Sequence, residues 1–133
     1  MKPYELADEV TALINAGGLG VTAERKYLAE IDFETLGTTV CYVVPSEVER
    51  VRITRAEVQK NITISVYIAA QGATNDMLDG YSDLLESIIE YLEDNSTSSN
   101  MTPITTTSNI MQDDTLNTRQ QFYGILTAIY ITV

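Results

Sequence analysis

Asn61-Ile-Thr-Ile-Ser-Val-Tyr-Ile-Ala69 decides the fold. Ile62, Ile64, Val66 and Ile68 alternate with Thr63, Ser65 and Tyr67, and a β-strand sends successive side chains to opposite faces, so this run predicts a half-buried strand. Its apolar face needs a cover. Upstream, Glu47 to Val58 interleaves β-branched residues with charge, and Arg55-Ala-Glu-Val-Gln-Lys60 contains neither Gly nor Pro. Without the residues of a tight two-residue turn, the two runs predict a long, bent or bulged charged β-arm. Thr38 to Val44 reads as another strand, ended by Pro45, and Val21 to Leu28 as the first, with a loop over 29–37 anchored by Ile31, Phe33 and Leu36.

Two helices supply the cover. Leu6, Val10, Leu13 and Ile14 recur at helical spacing between Tyr4 and Ala16. Pro3 suits the first turn, Glu5, Asp8 and Glu9 suit the positive end, and Gly17-Gly18 is the stop. The glycines of Ala16-Gly-Gly-Leu-Gly20 follow a helix rather than opening one, so they read as a C-cap and not as a phosphate cradle. After the break at Gln71–Asn75, Thr74 or Asn75 caps a second helix with Asp76 and Asp79 in its first turn. Met77, Leu78, Tyr81, Leu84, Leu85, Ile88, Ile89 and Leu92 form its apolar stripe. Asn95 to Asn100 is a polar turn, Met101 to Leu116 predicts one or two short edge strands around Ile104 and Ile110, and Gln121 to Val133 is a strand apolar on both faces. A strand of that kind belongs inside a sheet or a subunit interface. The expected class is α+β: one domain over 1–133, an antiparallel or mixed sheet with two helices packed on one face, and the charged β-arm.

Nineteen acidic and eight basic residues give a net charge of −11, which opposes general binding of nucleic acid. Residues 1–60 carry seven of the basic groups, whereas 61–133 carry Arg119 alone against nine acids. No run approaches the ~20 apolar residues of a membrane span, and the N-terminus lacks the pattern of a signal peptide, so a cytoplasmic chain is expected. Cys41 is the single cysteine and there is no histidine. The thiol therefore reads as a small core residue, without the imidazole that would activate it. Asp76, Asp79, Asp83, Glu86, Glu90 and Glu93 lie opposite the apolar stripe of the second helix and read as a solvated face. Asp113-Asp114 lacks the ligand spacing of a calcium loop. No metal, cofactor or catalytic residue is expected.

The functional expectation rests on Arg50, Arg52 and Arg55, because guanidinium groups are enriched at protein interfaces, and on Glu47, Glu49 and Glu57, which can pair with them on a neighbouring copy. Arg50 and Arg52 share one parity of the strand, and Arg55 lies on the other unless a bulge intervenes. A solvated edge kept charged against aggregation is the competing reading, and a ring-forming protein satisfies both.

Thr22-Ala-Glu-Arg-Lys-Tyr-Leu, Asp32-Phe-Glu-Thr-Leu, Val40-Cys-Tyr-Val-Val-Pro, Val48-Glu-Arg with Arg55, the strand-to-helix unit with Leu84-Leu85-Glu86, and the closing Phe122-Tyr-Gly-Ile-Leu-Thr strand together resemble the tail terminators of long-tailed bacteriophages, the lambda-type subunit included. The resemblance covers the chain from about residue 22 onward and leaves 95–109 without a matching motif. It implies a non-enzymatic virion protein, assembled in the bacterial cytoplasm as a hexameric ring at the head-proximal end of the tail tube. There it would stop tube growth, contact the tube protein and the head connector or stopper, and let DNA pass through its lumen without specific binding. An acidic adaptor or inhibitor of one protein partner, and the connector-side stopper, are the alternative readings; a hydrolase or nuclease fits least.

Overall fold

The computed structural model describes residues 1–31, 39–71, 74–110 and 121–132. Among these residues seven elements follow in the order α1 (Pro3–Ala16), β1 (Ala23–Arg25), β2 (Val40–Arg52), β3 (Val58–Gln71), α2 (Asn75–Asp94), β4 (Thr105–Ile110) and β5 (Gln121–Thr132). The strands form one mixed sheet in the order β1-β2-β3-β5-β4, in which only the β1–β2 pair is parallel. The class is α+β, as the alternation around Ile62–Ile68 predicts.

β3 is the centre of the sheet. Antiparallel pairing sets Val66 opposite both Val43 and Leu126, and Ile68 opposite Cys41 and Gly124, so the even-numbered residues of β3 and β5 share a side. Ile62, Ile64, Val66, Ile68, Leu126, Ala128 and Tyr130 are fully buried there, in one core with Leu6, Val10 and Ile14 of α1 and Leu85, Ile88 and Leu92 of α2. The odd-numbered side of β5 is half-exposed through Tyr123, Ile125, Thr127 and Ile129. β5 thus lies inside the sheet, between β3 and β4, with one face fully buried. Cys41 is buried, and burial pushes its thiol up to about 12, out of the range of a nucleophile at neutral pH.

The helices begin and end as their sequences dictate. The Glu5 carboxylate accepts from the Lys2 backbone N–H at 2.9 Å ahead of Pro3, and the N–H of Gly17 reaches the Ile14 carbonyl at the end of α1. Gly18 follows with φ +63°, a conformation that favours glycine. Thr74 caps α2, its hydroxyl accepting from the Met77 N–H at 3.3 Å. The Asn15 side chain donates to the Ala23 carbonyl and accepts from the Ala23 N–H, fastening α1 to β1.

Two strand expectations need correction. Pro45 does not end its strand: β2 runs to Arg52, with a register shift between Pro45 and Glu47. β1 pairs only with Cys41, Tyr42 and Val43, so beyond Val43 the strand is an edge, where proline removes no ladder hydrogen bond. Val21 to Leu28 shrinks to the three residues of β1, and Tyr27 and Leu28 stand 68% and 65% exposed. The expectation near Ile104 and Ile110 resolves into the edge strand β4, while most of the loop expected over 29–37, from residue 32 onward, and the acids Asp113-Asp114 lie outside the described residues.

The polar turn after α2 is fastened to α1. The Glu9 carboxylate accepts from the Ser99 N–H and from the Ser99 hydroxyl, both at 2.8 Å. Partial burial pushes this carboxyl up, but the bonds from Ser99, with Thr97 and Ser98 adding to them, outweigh burial and hold it below its ordinary value of 4.5. A depressed folded-state pKa means that the clamp stabilises the protein above the ordinary carboxylate range and is lost as pH falls through the folded value. Glu9→Gln is therefore expected to melt earlier at pH 7, with the difference from wild type closing below about pH 4. Melting curves across pH 3–7 check this, and a difference independent of pH would remove the ionised clamp from the account.

Candidate functional site

The end of the β2–β3 hairpin is the most exposed ordered part of the sheet: every residue from 46 to 57 is solvent-exposed. It is nonetheless structured. Ile53 and Thr54 donate their N–H groups to the Glu57 carbonyl, the Thr54 hydroxyl accepts from the N–H groups of Ala56 and Glu57, and Arg52 Nη1 donates to the Arg55 carbonyl at 3.1 Å. The connection is thus a five-residue turn over 53–57 rather than a tight two-residue one.

Strand alternation sorts the charges, and the register shift sets which side each takes. Beyond it, Val48, Arg50 and Arg52 pair with Ile62, Lys60 and Val58, on the side of the sheet that Ile62 uses for the core. Glu47, Glu49 and Val51 pair with Thr63, Asn61 and Gln59 on the other. Asn61 Nδ2 donates to Glu49 Oε1 at 3.2 Å, and Gln59 Nε2 donates to Asn61 Oδ1 at 2.9 Å, so the second side holds its acid in a chain of amides. One side is cationic and the other acidic.

Of the six residues singled out in the sequence, the structure therefore brings Arg50 and Arg52 together, places Glu47 and Glu49 back to back with them, and puts Arg55 and Glu57 in the turn. No glutamate of the hairpin pairs with its arginines; among the described residues the ion pair present is Arg25 with Asp8. Lys60, which joins the cationic side, is a residue that sequence reasoning missed, because its partnership with Arg50 follows only once the turn length sets the register. The hairpin also exposes Val48, Val51 and Ile53 at 38%, 40% and 53%. At its base an open groove of about 250 Å³ is lined by Pro3, Tyr4, Tyr27, Pro45, Ser46, Glu47 and Val48.

A second charged surface lies on α2. Asp76, Asp79, Asp83, Glu86, Glu90 and Glu93 are all exposed, at alternating three- and four-residue steps, and the helix contains no Lys or Arg. Like charges at this spacing each destabilise a helix by ~0.2–0.5 kcal/mol, and no cation within α2 relieves them. Among the described residues Glu93 accepts a hydrogen bond from the Thr106 hydroxyl at 3.3 Å. Among the described residues no group of three His, Cys, Asp or Glu side chains is placed to hold a metal ion, and no helix is long and apolar enough to cross a membrane.

Set against known protein-family models and curated protein sequences, the chain matches none.

Proposed function

We propose that this chain is a structural subunit of a phage tail that closes into a ring, hexameric in the tail terminators it resembles, at the head-proximal end of the tail tube. The hairpin end is its arm toward a neighbouring copy. Packing of both helices on one side of the sheet leaves the opposite side for contact with other proteins. The observation that carries the reading is the ordered, wholly exposed run from Ser46 to Glu57, whose three arginines have no carboxylate within ion-pair distance among the described residues and stand beside exposed Val48, Val51 and Ile53. Arginine fringed by aliphatic side chains is the composition of an interface rather than of idle solvent-facing surface. A net charge of −11 suits a lumen that passes DNA without gripping it, because phosphates are repelled.

The test is a tube-growth experiment. Tail-tube subunits from the genome that encodes this chain are polymerised with and without it and imaged by electron microscopy. The expected result is shorter tubes with added density at one end. An unchanged length distribution with bare ends would contradict the terminator role and favour the adaptor.

A further inference from the structure

We infer that the cationic hairpin end of one copy docks on the acidic outer stripe of α2 of the next, so that two different patches of the same chain form the ring contact. The inference rests on the ring reading above and names the two surfaces that would make it.

Three observations lead to this pairing. The first is charge complementarity within a chain that is otherwise strongly acidic. Asp76, Asp79, Asp83, Glu86, Glu90 and Glu93 make an exposed stripe with no cation on the same helix. Most other described cations are engaged: Arg25 with Asp8, Lys26 over the Tyr42 ring at 4.5 Å, Lys2 over the Tyr4 ring at 5.7 Å, and Lys60 with the Met1 carbonyl at 3.5 Å. Arg50, Arg52 and Arg55 stand without a carboxylate or ring partner among the described residues, and Arg52 uses one of its five N–H donors on the Arg55 carbonyl. The fork of an arginine suits a pair of carboxylates one helical turn apart.

The second is distance. Within one copy the N-terminal half of the stripe, from Asp76 to Glu86, and the hairpin end lie at different ends of the sheet, while the stripe's far end reaches Thr106, opposite Ala128. α2 sits over the start of β5, with Tyr81 5.9 Å from the Phe122 ring and Leu85 beside Gly124. The hairpin end begins where Lys60 pairs with Thr132, about 26 Å farther along β5 at ~3.3 Å per residue. An arginine side chain cannot span that gap to Asp79, Asp83 or Glu86, so the contact is between copies. A patch that meets a different patch on its neighbour is a heterologous contact, which closes into a ring when the rotation allows.

The third is order. The turn is braced by the Arg52–Arg55 and Thr54 hydrogen bonds before any partner arrives, so docking forfeits little conformational freedom.

The test uses full-length chains with reversed charge. One carries Arg50→Glu, Arg52→Glu and Arg55→Glu; the other carries Asp79→Lys, Asp83→Lys and Glu86→Lys. All six positions are exposed, and circular dichroism with melting curves verifies folding; single reversals R52E and D83K replace any triple variant that fails to fold. Each variant alone is expected to need roughly 100-fold higher concentration than wild type to assemble. An equimolar mixture is expected to recover assembly, because the acidic hairpin of the first meets the basic helix of the second and the two unaltered patches meet in turn. Wild-type assembly is also expected to weaken as salt rises. If wild type assembles but either variant assembles equally well, or if the mixture fails to recover, the inference is overturned while the ring reading stands. A wild-type chain that stays monomeric overturns the ring reading, and this inference with it.

Discussion

Leu126→Ala is expected to lose about 3–5 kcal/mol of stability, a large share of the ~5–15 kcal/mol available to a domain of this kind. Leu126 is fully buried, it faces Val66 across the β3–β5 ladder, and it belongs to the core that α1 and α2 share with the sheet. Removing its branched end leaves a cavity between rigid neighbours on both strands, which collapse only in part. Ile129→Ala, three residues along the same strand on the half-exposed side, is expected to lose about 1 kcal/mol. Urea unfolding of the two variants reads the difference as a shift in midpoint at constant slope. Equal losses would contradict the assignment of the even-numbered side of β5 to the core.

Excising the hairpin end is the second large effect, and it falls on assembly rather than on folding. Replacing residues 50–60 by an Asn-Gly turn removes Arg50, Arg52 and Arg55 together with exposed Val51 and Ile53, while the strand pairs from Val48–Ile62 inward remain. The buried part of the sheet lies on the far side of that cut: Ile62, Ile64, Val66 and Ile68 keep their neighbours. The shortened chain is therefore expected to fold, with a melting point within several degrees of wild type, and to be monomeric at every concentration at which wild type assembles. A shortened chain that fails to fold would make the hairpin a structural element of the domain. One that assembles normally would remove it from the interface.

Periodicity carried most of the fold. The alternation at Ile62–Ile68 and the helical spacing at Leu6–Ile14 and Leu85–Leu92 are local patterns that burial enforces, and the caps at Gly17 and Thr74 follow from backbone chemistry readable one residue at a time. What escaped was relational. Pro45 looked like a terminator because its missing N–H breaks a ladder, yet whether a ladder exists there depends on where β1 stops, and β1 pairs no farther than Val43. Val21–Leu28 has the composition of a long strand, but only Ala23–Arg25 pairs with β2. The site followed the same division. Exposure of Arg50, Arg52 and Arg55 was legible from charge among β-branched residues, and strand alternation alone sets Arg50 and Arg52 opposite Glu47 and Glu49, whereas the side of the sheet that each set takes came from the register shift after Pro45, which no single residue announces. The same alternation explains why Glu47 and Glu49 do not neutralise Arg50 and Arg52 within one copy.

The central claim, that the chain assembles through its charged surfaces, meets its most direct test in solution mass measured by light scattering on a sizing column, over a range of concentrations and at low and high salt. The account predicts growth from 14.7 kDa toward a closed species near six times that mass at low salt, and its dissociation as salt rises. A mass of one chain at every concentration and salt would contradict it.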